Sequence, residues 1–261
     1  MSISFVVPIK SKMVTGNWDH FSKLVNRTLK SICSQTNKDF NVVVVCHEIP
    51  SIDFENDKIQ FVQVDFPPPT LGDDEKKNIA LKETDKSKKV LEGIEVSKNM
   101  GAAYVMVVDS DDCISPKISS FVHENIKSKS VGWYLDKGYY YTEGKRYLIK
   151  KKTKFYGNCG SCLILRIDIA PVWVKKEPFL YYDHQTIEKG DVQLLKFPYY
   201  GAIYSMANGE NHYKSWSNMK KIAKKYLLFD NGKFKPFQKL AKYRLTFLTP
   251  RLKRNFGLYK I

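Results

Sequence analysis

Apolar positions fall in two rhythms along the first half of the chain. "ISFVVPI" (3–9) is a short β-branched run closed by a proline and reads as a strand. Phe21, Leu24, Val25, Leu29 and Ile32 recur at helical spacing, with Asn17 or Asp19 in place to cap a helix running to about Gln35. "FNVVVVCHE" (40–48) and "IQFVQVDF" (59–66) read as strands, the latter closed by "PPP" at 67–69. The polar stretch 70–85 reads as a mobile loop. A helix is expected from Lys86 to about Met100, with Val90, Leu91 and Ile94 facing inward and Gly101 at its stop. "AYVMVV" (103–108) is a further strand, and Ser115-Pro116 opens a helix to about Lys127. Wholly apolar strands separated by helices predict an α/β fold, with a mostly parallel sheet covered by helices on both faces.

The second half is less regular. "VGWYLD" (131–136) and "RYLIKK" (146–151) flank "EGK" and predict a ribbon of smaller, mixed pairing. "SCLILR" (161–166) and "GAIYSM" (201–206) read as strands, and Asp183 to Lys189 as a short helix. Between Pro236 and Pro250, Phe237, Leu240, Ala241, Leu245 and Leu248 share one face of an expected amphipathic helix.

Charge divides the chain. Its formal net charge is +16, yet residues 214–261 hold 14 Lys/Arg against the single acid Asp230. A nearly neutral body with a cationic appendage calls for an anionic partner, membrane or nucleic acid. The organisation expected is a domain over 1–213, divided at 128/129, followed by a basic tail over 214–261. No apolar run is long enough for a transmembrane helix, and the N-terminus has no basic region ahead of its apolar run. The protein therefore reads as cytoplasmic, with the tail able to hold it peripherally on the inner face of the membrane. Five cysteines are too few, and odd in number, for a disulfide framework. "CGSC" (159–162) lacks the second pair that a structural zinc needs.

One segment stands out against the basic background. "YVMVVDSDD" places Asp109, Ser110, Asp111 and Asp112 at the end of a buried strand. In an open α/β sheet, ligands gather beyond the carboxyl ends of the strands. Carboxylates so close repel, and a hard divalent cation, Mn²⁺ or Mg²⁺, relieves the repulsion while leaving positions for phosphate oxygens. Acidic turn chemistry alone would also suit the start of a helix.

With "ISFVVPI", "NVVVVCHE" and the acid cluster in this order, residues 1–212 resemble a family-2-type glycosyltransferase with the GT-A fold and its D-x-D motif. The resemblance implies metal-dependent, inverting transfer of a sugar from a nucleotide diphosphate to a glycan or lipid-linked acceptor, in polysaccharide or surface-glycan synthesis. It makes Asp111 the metal ligand, gives Asp109 the ribose or a metal-bound water, and gives Asp112 an outer or further ligand place. Pro8 and Ile9 would line the base pocket, and Glu48, with His47 as its rival, would meet the nucleoside. Lys86 or Lys89 would supply a cation. Asp183, with Glu188 and Asp191 as rivals, would be the base, Gly160 and Ser161 would border the acceptor, and His212 would be a late metal ligand. Two other classes compete: a nucleic-acid binder using the tail, which leaves the acids unexplained, and a metal-dependent nucleotidyltransferase, which usually carries a glycine-rich phosphate loop after its first strand.

Overall fold

The computed structural model describes residues 1–128, 130–206 and 243–261, together with the backbone of Phe229–Asp230 and Lys233–Phe234. The first half follows the apolar rhythm. Strands β1 (Ile3–Pro8), β2 (Phe40–Cys46), β3 (Ile59–Gln63) and β4 (Tyr104–Val107) lie parallel in the order β3-β2-β1-β4. β1, β2 and β4 are buried along their whole length, which is why they lack polar alternation. The sheet continues through β9 (Leu163–Arg166), antiparallel to β4, to β6 (Gly132–Tyr134) and β14 (Leu195–Lys196).

Three helices accompany it: α1 (Trp18–Cys33), α2 (Glu75–Asn99) and α3 (Ile118–Asn125). Asn17 caps α1 through its side chain, as the sequence suggests. α2 starts eleven residues before the expected Lys86, inside the stretch read as a loop. The Asp74 carboxylate caps it by accepting from the Lys76 and Lys77 amides, and its first turns are polar because they stand in solvent. Gly93 lets α2 settle on the sheet, since a Cβ there would overlap Val6.

A second sheet takes the order β18-β8-β7-β15-β5, from β5 (Cys113–Ile114), β7 (Lys137–Thr142), β8 (Tyr147–Lys151), β15 (Tyr200–Met206) and β18 (Tyr243–Phe247). The hairpin is β7–β8, turning at Gly144 (φ +79°), while the expected first arm, 131–136, joins the large sheet as β6. The helix expected over 183–189 is absent. Short strands Tyr181–Tyr182 and Glu188–Lys189 bracket that stretch instead.

Residues 243–247, expected in an amphipathic helix, pair antiparallel with β8; the rest of that expected helix, 236–242, lies outside the described residues. β-branched and aromatic residues in "YRLTF" find a ladder partner in β8, and tertiary pairing overrides the helical spacing. A helix over Pro250–Phe256 follows, and Phe256 at its end and Leu258 just beyond it are buried against Tyr139, Tyr141 and Leu148. Arg27 of α1, fully buried, donates to Glu143 and to the Tyr259 carbonyl and so fixes this end of the chain to the body. Among the described residues no helix is long and apolar enough to cross a membrane.

Candidate active site

A cavity of about 610 Å³ opens beyond the C-terminal ends of β1 and β4. β1 brings Pro8 and Ile9 to its wall, α2 brings Asp85, Lys86 and Lys89, and the turn after β4 brings Asp109, Ser110 and Asp111. Gly160 closes one side, Tyr181 to Gln185 another, and Tyr204 of β15 completes the lining.

The three aspartates part company. Asp109 pairs with the Lys86 ammonium at 2.5 Å, with both side chains partly open to the cavity. Burial pulls the Lys86 pKa down, but Asp109 and then Glu83 outweigh it, and the pKa rises above its ordinary value. Asp111 is nine-tenths buried and lines the same cavity. Asp112 turns inward. Its carboxylate accepts from the Ser161 hydroxyl (2.7 Å), the Cys159 thiol (3.3 Å) and the Ser205 amide (3.0 Å). Burial, then Asp111 and Asp109, push its pKa well above the usual carboxylate range. Asp112 therefore braces the motif from behind.

Ser161 does the same from the other side of the turn. It is fully buried, accepts from the Asp109 amide at 2.8 Å and donates to Asp112, so its hydroxyl is committed to holding the acids. Gly160 does reach the cavity, and there a Cβ would overlap the Asp109 carboxylate.

Lys89 lies on the wall with its ammonium spent on Asp85 and on the Ile9 carbonyl, both at 2.7 Å. It ties α2 to the end of β1 where Pro8 and Ile9 stand. Glu48 is outside the lining; it accepts from the Ser11 hydroxyl and the Lys12 amide and orders the loop after β1. His47 is turned to the Phe66 carbonyl at 2.9 Å.

Asp183 lines the cavity as a carboxylate held 2.7 Å from Lys175 and 3.9 Å from Lys189. Burial raises its pKa, and bonds from Lys175 and Thr186 with the charge of Lys189 more than offset this, leaving it below the ordinary range. Glu188 and Asp191 are not part of the lining. His212 falls outside the described residues.

The structure adds His184, which sequence reading passed over although it adjoins Asp183. Its Nδ1 lies 3.0 Å from the Tyr156 carbonyl, which assigns the proton to Nδ1 and leaves Nε2 as the acceptor. Burial, then Lys86, depress its pKa, keeping the ring neutral. Cys159 and Cys162 are free, fully buried thiols that donate to neighbouring oxygens, and burial pushes both pKa values well up, disfavouring thiolate chemistry.

The fold is similar to that of solved structures. The first 349 residues of S. aureus TarS in complex with UDP-GlcNAc match with a TM-score of 0.50 and 14% identity, over 99% of this chain and 73% of that one. The fold is GT-A. The same TarS fragment without that ligand gives a TM-score of 0.49 at 13% identity over 99% and 72% of the two chains. M. tuberculosis Rv0371c gives 0.40 at 7% identity over 86% and 99%. No family model matches the sequence, and no curated protein matches it significantly.

On this sheet the acid turn stands where the chain leaves β4. A hard cation fits the donor chemistry of Asp109 and Asp111, which offer carboxylate oxygens on one wall and leave the rest of its shell to ligand and water. Among the described residues no cluster of three or more His, Cys, Asp or Glu side chains gathers around one point, so a further protein ligand is not supplied there.

Proposed function

We propose that the protein is a metal-dependent glycosyltransferase moving a sugar from a nucleotide diphosphate to a glycan or lipid-linked acceptor with inversion. The observation that carries this reading is the pair Asp109 and Asp111, delivered by β4 of a GT-A sheet into a large cavity beside Lys86. Mn²⁺ or Mg²⁺ would be held by these two carboxylates and, when bound, would stabilise charge on the departing diphosphate. His212 remains the candidate for a further ligand.

The chain's own groups supply the rest. Lys86 neutralises Asp109 and stands on the wall where a diphosphate can pair with it. Pro8 and Ile9, fixed by Lys89, border the space for the base. Asp183, kept ionised by Lys175 and Lys189, accepts the proton of the acceptor hydroxyl. His184 is the second candidate for this role, on its neutral ring and acceptor nitrogen. Gly160 keeps the acceptor side open.

The TarS fragment was solved with UDP-GlcNAc, which makes uridine-diphosphate sugars the first donors to try. The test is a thermal-shift screen of nucleotide sugars with and without Mn²⁺. Stabilisation by one nucleoside class only with metal, lost in Asp111→Asn, is the expected result. No response from wild type to any donor would overturn the reading.

A further inference from the structure

The second sheet separates two cavities. Tyr204 of β15 lines the first. Its cross-strand partner Tyr140 stands beside it on β7, and the next residue, Tyr141, points to the opposite face. There Tyr141 lines a second cavity of about 390 Å³, together with Leu258 and the cations Lys145, Arg146, Lys253 and Lys260. Among the described residues no Asp or Glu side chain lines it, and none of these cations has an ion-pair partner. The acid beside the turn, Glu143, is taken up by the buried Arg27 at 2.9 Å. A hollow walled by one sign of charge concentrates counter-ions, and the repulsion among its cations is relieved when an anion sits between them.

The cations come from separate segments, each held by its backbone. Lys145 and Arg146 lie at the β7–β8 turn, where the Lys145 amide donates to the Thr142 carbonyl at 3.1 Å. The Leu248 amide donates to the Arg146 carbonyl at 2.9 Å and ties this turn to the chain just ahead of the last helix. The Leu258 amide donates to the Lys253 carbonyl at 2.9 Å, which sets the stretch carrying Lys260 beside that helix. Phe256 and Leu258 are buried beneath. The side chains thus start from fixed points, and a ligand has only their ends to order.

We propose that this second cavity binds a phosphate-bearing ligand, a phosphate monoester or diphosphate, with Lys145, Arg146, Lys253 and Lys260 meeting its oxygens. A phosphate group concentrates close to two negative charges on three acceptor oxygens, where a carboxylate offers one charge on two. The Arg146 guanidinium suits forked pairing with such a group, and the three ammonium groups act as point charges around it. The site does not depend on the transferase reading, because it lies across the sheet from Asp109 and Asp111.

The test is titration calorimetry of the full chain with inorganic pyrophosphate in EDTA, which keeps divalent cations from the first cavity. Wild type should bind. Arg146→Gln/Lys253→Gln and Lys145→Gln/Lys260→Gln, each folded by circular dichroism, should bind at least about tenfold more weakly. Lys86→Met, altered only in the first cavity, should bind as wild type does. The site is overturned if wild type does not bind, if both double variants bind as wild type does, or if Lys86→Met alone loses binding. Equally tight binding of sulfate at the same ionic strength would mark an adventitious ion only and would also overturn it. Vesicles of phosphatidic acid in phosphatidylcholine that displace pyrophosphate would identify the ligand as a lipid headgroup, and vesicles that leave it bound would identify a soluble ester; the site stands in either case.

Discussion

Gly160 faces the Asp109 carboxylate so closely that any side chain at position 160 would collide with it. The Gly160 backbone needs no positive φ, so alanine can take up its conformation. Gly160→Ala should therefore leave the thermal midpoint nearly unchanged while displacing Asp109. Titration calorimetry with the active donor and Mn²⁺ should then show affinity reduced at least about tenfold, the loss of one charge-assisted contact.

The two cavity lysines should behave differently. Lys86→Met removes a partly open cation facing the ligand space, and the donor dissociation constant should rise about tenfold with little loss of stability. Lys89→Met instead strands Asp85 in a buried position, with a cost of about 3–5 kcal/mol read from urea unfolding. Similar unfolding curves for the two variants would contradict this division.

Burial, then Asp111 and Asp109, raise the Asp112 pKa, while both of its oxygens accept hydrogen bonds from buried donors. Asparagine keeps one acceptor oxygen and sets its NH2 against a donor on the other side, so Asp112→Asn should lose part of the stability that Asp112→Ala loses, read from urea unfolding. Asp112→Ala leaves the Ser205 amide and the Ser161 hydroxyl without their acceptor and should lose about 2 kcal/mol or more.

Asp183 and His184 are separated by their responses. Asp183→Asn should abolish turnover and leave donor binding intact. For His184, burial and the Lys86 charge lower the folded pKa beneath the ordinary 6.5, while Asp109 and Glu83 act the other way. Below that ordinary value the unfolded chain takes up a proton that the folded chain refuses. Its stability contribution is therefore complete above about pH 6.5 and is lost as pH falls toward the depressed folded value. The midpoint of wild type should drop more steeply than that of His184→Gln between about pH 7 and pH 5.

Much of this site was readable where local chemistry and position coincide. The β1 and β4 runs are almost wholly apolar because both faces are covered, and that alone sets Asp109 and Asp111 at a ligand-bearing end. Reading failed where tertiary contacts choose between local options. Lys86 and Lys89 looked like a helix start, but the Asp74 cap moves that start upstream and places both lysines in the body of α2. Glu48 follows the second strand as expected and is then claimed by Ser11 and Lys12 of a neighbouring loop. The spacing of Leu245 and Leu248 suited a helix equally well, and only the presence of β8 made 243–247 a strand. His184 carried no signal of its own, because its orientation depends on a carbonyl 28 residues away.

Asp112 touches Ser161, just ahead of β9 in the large sheet, and Ser205, within β15 of the smaller one. One side chain thus rivets the two layers at the root of the acid turn. Any rotation of one layer on the other would have to shear those bonds in a place water does not reach. The two layers that wall the cavity are thereby joined through one buried side chain.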